Sequence, residues 1–275
     1  MKISILLPYK ENFSPEYPGA VSLFVYETSK ISKFKKRIIV YGNTNYKKKF
    51  KLKYININTK KKIFNSQTKE YVNNFIKLKK KNNSSIIEVH NRPSYIHIIN
   101  NKFKNKVLTL YFHNDPLSMD GSKTIDQRKT LLKTCYKIIF NSTWSKKRFL
   151  EGLENKFVNS NKLLVFYQSA QKGSISILKK KKKWITFVGK LNKAKGYDIF
   201  AKSIVKVLNR NRDWKALIIG DEKREKIVLK HPNVSILGFK KHNDVIDIFK
   251  KTSITVACSR WEEPFGRTSL EASAN

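Results

Sequence analysis

From one end of the chain to the other, short runs rich in Ile, Val and Leu alternate with longer stretches of mixed polarity. A strand buried on both faces is apolar throughout, and the stretch that follows supplies a crossover helix. The rhythm is therefore that of βα units on parallel sheets covered on both sides, an α/β fold. It predicts strands over 3–8, 37–41, 86–90, 106–112, 137–141 and 163–167, and again over 185–188, 216–219, 234–237 and 254–257. Helices fall between them. One covers 19–33, where Val21, Phe24, Val25 and Thr28 share a face, and another covers 142–152 with Ser142 or Thr143 as its cap. Two more are expected over 197–208 and 243–250. A polar break separates the two alternations: 169–183 carries Gly173, Ser174, Ser176 and five consecutive Lys. The expected organisation is a first doubly wound domain over 1–170, a linker over 171–183 and a second domain over 184–275. A chain of 275 residues is long enough to bury two modest cores. A last helix is expected from Phe265 onward, still running at Asn275, as if the second domain were incomplete.

Fifty-eight basic residues against 20 acidic ones leave a formal net charge of +38, a field that attracts polyanions. Lys, Asn and Ile are abundant while Arg is sparse, the pattern that AT-rich coding produces without selection for a ligand. The clusters at 47–49, 60–62, 79–81 and 179–183 fall at expected turns or helix ends and lack the interleaved aromatics of a single-strand binding groove. Most are read as solvated surface, with the surplus Lys able to hold the chain loosely against anionic lipid. No apolar run reaches the roughly 18–20 residues of a membrane helix, and the first ten residues are too short for a secretory signal. The expected location is cytoplasmic, with peripheral contact at the inner membrane face. Cys135 and Cys258 stand far apart without a CxxC pair, so they are expected to be buried thiols rather than a disulfide or zinc site.

The ten glycines form no GxGxxG, and none precedes the Lys-Ser/Thr of a P-loop. GxSxG, HExxH and His-rich clusters are missing too, which removes the familiar serine and zinc hydrolases. What stands out is Glu263-Pro264-Phe265-Gly266-Arg267-Thr268-Ser269-Leu270-Glu271, two carboxylates with seven residues between them, after an expected strand and across a helix start. Strand-end loops of open α/β sheets bind ligands. Gly266 lets backbone approach closely, and the first-turn amides of a helix suit a phosphate.

This segment resembles the E-x7-E motif of family 4 of the retaining GT-B glycosyltransferases. The resemblance implies that Glu263 contacts hydroxyls of a donor sugar and that Glu271 binds the ribose of its nucleotide, with Gly266 and Arg267 beside the donor. Residues 187–196, Phe-Val-Gly-Lys-Leu-Asn-Lys-Ala-Lys-Gly, are similar to the family's G-R-L-x-x-x-K-G loop. By that match Lys190 and Lys195 hold the donor diphosphate, Lys190 standing where Arg is usual and offering a point charge instead of a fork. Leu217 to Asp221 resembles the strand that ends in G-x-G, with Glu222 in the place of the second glycine. Gly238, Phe239 and Lys240 match a strand end near the nucleotide base. In the first half, Pro18-Gly19-Ala20 resembles the loop facing the donor, and His113, closing a strand, matches a histidine that contacts the transferred sugar. Glu88 to Pro93 closes another strand on the acceptor side, and Tyr167-Gln168-Ser169 replaces the usual Asn-Gly before the linker.

The expectation from this resemblance is a GT-B fold whose two Rossmann-like domains face a central cleft. Such a glycosyltransferase moves a hexosyl group, with retention, from a UDP-, GDP- or ADP-linked donor to a saccharide or lipid-linked acceptor of the cell envelope, such as lipopolysaccharide. The first domain takes the acceptor. Glu263 and His113 are the catalytic candidates, with Glu263 not assigned as nucleophile. Lys190, Lys195 and the Gly266 helix start balance the leaving diphosphate, so neither a cofactor nor an obligatory divalent metal is expected. The rivals are a GT-B sugar-nucleotide hydrolase or epimerase and a basic nucleic-acid-binding protein, the latter set aside in the partners expected here.

Overall fold

The computed structural model describes residues 2–59, 66–80, 84–170 and 181–275. The chain divides into two compact units, Met1–Gln168 and Ser169–Asn275.

In the first unit the elements run β1 (Ile3–Leu6), α1 (Ala20–Ile31), β2 (Ile38–Gly42), β3 (Tyr54–Asn56), α2 (Gln67–Lys80), β4 (Ile86–His90) and α3 (Ser94–Lys102). They continue with β5 (Val107–Phe112), α4 (Ile125–Thr134), β6 (Lys137–Phe140), α5 (Thr143–Leu150) and β7 (Leu163–Val165). The sheet is parallel in the order β3-β2-β1-β4-β5-β6-β7. The two-residue period of the strands separates two cores. Ile5, Leu7 and Val40 pack with Val21 and Val25 of α1 on one face. Leu6, Ile39 and Tyr41 pack with Tyr71, Val72 and Phe75 of α2 on the other. Ser142 rather than Thr143 caps α5, its hydroxyl accepting from the Ser145 amide at 3.1 Å. The short edge strand β3 was not expected; it pairs only with β2 and is half-buried throughout.

The second unit runs β8 (Lys182–Val188), α6 (Tyr197–Arg210), β9 (Lys215–Ile219), β10 (Val234–Ile236), α7 (His242–Phe249), β11 (Thr252–Val256) and α8 (Arg267–Ser273). Its parallel sheet has the order β10-β9-β8-β11. Ile185, Phe187, Ala216 and Ile218 pack under Phe200, Ala201, Ile204 and Leu208 of α6. On the opposite face Ile219 meets Val245 and Phe249 of α7, with Val188 and Ala272 beside them.

Four further details differ from the sequence reading. The expected linker falls largely on 171–180, outside the described residues, and its last two positions, Lys182 and Lys183, already belong to β8. The final helix ends at Ser273 instead of continuing to Asn275, with Ala274 as its cap residue. Lys79, taken as solvated, is only 2% exposed; its ammonium donates to the Ser84 carbonyl at 2.8 Å and lies 5.0 Å from the Phe103 ring centroid. Burial, helped by the Lys106 charge, pushes its pKa down to about 8. Cys135 is buried as expected, whereas Cys258 is only half-buried. The clusters at 60–62 and 179–180, and Lys81, lie outside the described residues.

Both sheets reverse direction beside their first strand. β1 lies between β2 and β4, and β8 lies between β9 and β11. At such a switch point consecutive crossovers leave on opposite faces, so the loops at the carboxyl ends diverge and open a crevice. In the second unit those loops are 189–196 and 257–266, and a glycine locks them together. Gly196 starts α6 in the left-handed conformation, φ 70°, and a Cβ there would lie 1.9 Å from the Cys258 carbonyl oxygen. Gly238, at φ 65°, has nothing within 4 Å of such a Cβ. Gly196→Ala is expected to cost about 3 kcal/mol or more in urea unfolding, from clash added to strain. Gly238→Ala should cost only the left-handed penalty of about 1–2 kcal/mol; equal costs would show that the two loops are not held by this contact.

Candidate functional site

The loops after β8 and β11 bring together two of the residues nominated from sequence, Lys195 and Glu263. Lys195, at the end of the first loop, extends its ammonium to Glu263 on the second, with Nζ 2.5 Å from Oε1. The Ser259 hydroxyl donates to the same carboxylate oxygen, and the Trp261 ring lies 5.1 Å from the ammonium. Burial pushes the Glu263 carboxyl up, but the hydrogen bonds from Lys195 and Ser259 and the ammonium charge outweigh it and hold the group below the ordinary carboxylate range. Glu263 is thus a carboxylate in this state. Lys190, on the same loop as Lys195, is exposed.

Sequence reasoning missed the groups that shape these loops. Asn192 accepts from the Lys195 amide at 3.0 Å and donates to Glu222 at 3.2 Å, so the Glu in the place of a glycine braces the loop. Arg260 donates through both terminal nitrogens to Asp198 at 2.5 and 2.7 Å, and its amide reaches the Ala194 carbonyl at 3.0 Å. Asn192 and Glu222 stood in quoted motifs without a signal for their pairing, and Asp198 and Arg260 were marked only as charges two and three residues from the motifs.

Glu271 sits one helix away. It is 7% exposed and takes hydrogen bonds from His242 Nε2 at 2.9 Å and Arg267 Nε at 2.6 Å. Burial pushes its pKa up, yet the His242 hydrogen bond and the Arg267 charge prevail and leave it below the ordinary value. Arg267, nominated for the donor, is thereby engaged with Glu271 one turn along its own helix. Gly266 precedes α8 with φ 78°. Gly238, Phe239 and Lys240 follow β10 at the sheet edge, with β9 between them and β8.

In the first unit Gly19 precedes α1, and the Glu11 carboxylate lies over it, accepting from the Ser22 amide at 2.9 Å. Burial raises the Glu11 pKa against the pull of that amide and of the Arg92 charge. No sequence signal marked Glu11. His113 follows β5, 8% exposed, with its ring against Phe24, Tyr111 and His90. Asn91, at φ 54°, accepts at its side-chain oxygen from the amides of His113 and Asn114 at 3.1 and 3.2 Å, and so ties the β4 and β5 loops together. Among the described residues no group of three or more His, Cys, Asp and Glu side chains is placed to hold a metal ion. No helix among them is long and apolar enough to cross a membrane.

Residues 170–275 match the protein family described as Glycosyl transferases group 1. The whole chain superposes on the crystal structure of Anabaena Alr3699/HepE in complex with UDP-glucose, with a TM-score of 0.73 and 16% identity, over 78% of that chain. The fold is GT-B. Among curated relatives, spore coat protein SA of Bacillus subtilis is 23% identical over 71% of this chain and 59% of its own length. The lipopolysaccharide core biosynthesis mannosyltransferase LpsB of Rhizobium meliloti is 30% identical over 34% of this chain and 29% of its own. The chain therefore spans less than two thirds of the curated relatives it matches.

On this GT-B frame the buried Glu271 has a consequence for stability. Its folded pKa lies below its unfolded one, so its contribution is complete above the free Glu value of about 4.3 and is lost as pH falls through the folded value. Glu271→Gln should be less stable than the parent chain at neutral pH, and the gap should narrow as pH is lowered from 5 toward 3. A gap independent of pH in urea titrations would rule out an ionised Glu271.

Proposed function

We propose that the chain is a retaining glycosyltransferase of family 4, using its second unit to hold a nucleotide-sugar. The observation that carries this reading is the Lys195–Glu263 pair at the switch point of β8 and β11, with the exposed Lys190 on the same loop. Glycosyl transfer leaves negative charge on the departing nucleoside diphosphate while the sugar becomes oxocarbenium-like. Two ammonium groups on a braced loop are suited to that anion, and Glu263 to the sugar hydroxyls next to it. On this reading the diphosphate charge is met by protein cations, so no obligatory metal is invoked. Glu271, held ionised by His242 and Arg267, is the acceptor for ribose hydroxyls, and His113 of the first unit contacts the sugar.

The match of 170–275 to the group 1 transferases supports the reaction class. A UDP-glucose complex of a GT-B neighbour supports a UDP-linked hexose as the first donor to test. The names of the relatives, a spore coat protein and a lipopolysaccharide mannosyltransferase, favour an envelope saccharide or a lipid-linked sugar as acceptor. The lysine excess suits work at an anionic lipid surface from the cytoplasmic side.

The test is the stabilisation of the chain by UDP, GDP and ADP in thermal melting. Lys195→Ala and Glu271→Ala should each weaken binding of the preferred diphosphate by about tenfold or more, the scale of one lost charge-assisted contact. Unchanged affinity in both variants would refute the assignment.

A further inference from the structure

On the α1 side of the first sheet, where Ile5 and Leu7 are apolar, the carboxyl end of β4 is polar. Glu88 and His90 point the same way because they are two residues apart on one strand, and their β5 partners in register are Thr109 and Tyr111. His90 is fully buried. Its Nε2 lies 2.5 Å from Glu88 Oε1, and its Nδ1 lies 2.9 Å from His113 Nε2. His113 Nδ1 in turn lies 3.2 Å from the side-chain nitrogen of Gln168. Phe24 and Tyr111 hold the rings, with centroids 5.0 and 4.6 Å from that of His113.

The direction of every proton in this chain follows from its ends. The Gln168 nitrogen only donates, so His113 Nδ1 accepts and the His113 proton is on Nε2. That proton goes to His90 Nδ1, which places the His90 proton on Nε2, pointing at the Glu88 carboxylate, itself only an acceptor. A buried polar chain of this kind is costly unless every member is satisfied, and here each is.

We propose that Glu88 and His90 are positioning residues that fix the tautomer of His113, so that its Nδ1 is presented as an acceptor and receives a hydrogen bond from a hydroxyl of a bound sugar when the Gln168 amide gives way. This rests on the reading of His113 as a sugar contact, and it deepens that reading. It assigns the recognised group as a hydrogen-bond donor, so a sugar hydroxyl is selected over the corresponding ether or deoxy position. The signal in sequence was Glu88-Val89-His90, a period-two polar pair inside an otherwise apolar strand end.

Nitrogen-15 NMR of the histidine rings in the free full chain tests the relay without a ligand. At pH 7.5 His113 should show the Nε2–H tautomer, and Glu88→Gln and His90→Phe should each shift its ring nitrogens while far-UV circular dichroism stays unchanged. A His113 protonated at Nδ1, or ring shifts unmoved in both variants, would overturn the relay. A second readout is the ratio of UDP-glucose to UDP affinity by calorimetry. The two variants should lose about fivefold of the increment due to glucose with UDP affinity retained, the scale of one hydrogen bond. If UDP binds but the increment is the same in all three proteins, the relay does not position a sugar contact. If no nucleotide binds while the His113 tautomer and its response are as described, the donor reading fails and the proton chain stands.

Discussion

The contact between the Lys195 ammonium and the Glu263 carboxylate joins the two loops on which the proposed donor site depends. The side chains are 29% and 26% exposed, so the pair is partly solvated and its contribution to stability is screened. That weakness is the useful property. The loops are fixed by other means, by the close approach of Gly196 to the Cys258 carbonyl and by the Arg260–Asp198 fork. The ammonium can therefore leave Glu263 for a stronger anion without unfolding anything. A diphosphate carries more charge than one carboxylate, so on the proposed reading it competes with Glu263 for the ammonium.

Topology explains why this contact forms where it does. Carboxyl ends of neighbouring parallel strands are close, but their loops part only where the crossover direction changes. In the second unit that happens between β8 and β11, strands 64 residues apart from Val188 to Thr252 in the chain, and both charged motifs follow those strands directly. The first unit repeats the device between β1 and β4. There the crevice edge carries Glu11 over Gly19 on one side and the Glu88, His90 and Asn91 group on the other.

The fold was legible from sequence because continuous Ile-, Val- and Leu-rich runs such as Ile38 to Tyr41 and Ala216 to Ile219 suit a strand covered on both faces. What was not legible had little apolar content or depended on long-range partners. The edge strand Tyr54–Asn56 pairs on one side only and needs no buried run. Lys79 is buried with its ammonium donating to the Ser84 carbonyl, a partner that its place in a lysine cluster concealed. At the candidate site, Lys195, Glu263 and Glu271 stood out by spacing and resemblance, but their partners did not. His242 is 29 residues from Glu271, and His90 is 23 from His113; only the packing of strands and helices brings them together. Arg267 shows the converse: its motif position suggested a ligand, and its geometry gives it to Glu271.

The central claim is that Glu263 occupies Lys195 only until a diphosphate displaces it. The most direct measurement is the calorimetric affinity of the chain and of Glu263→Gln for UDP, GDP and ADP. Removing the competing carboxylate frees the ammonium, so the preferred bare diphosphate should bind the variant more tightly than the parent chain, with one site per chain. Weaker binding by Glu263→Gln, or no binding of any diphosphate to either protein, would contradict the account.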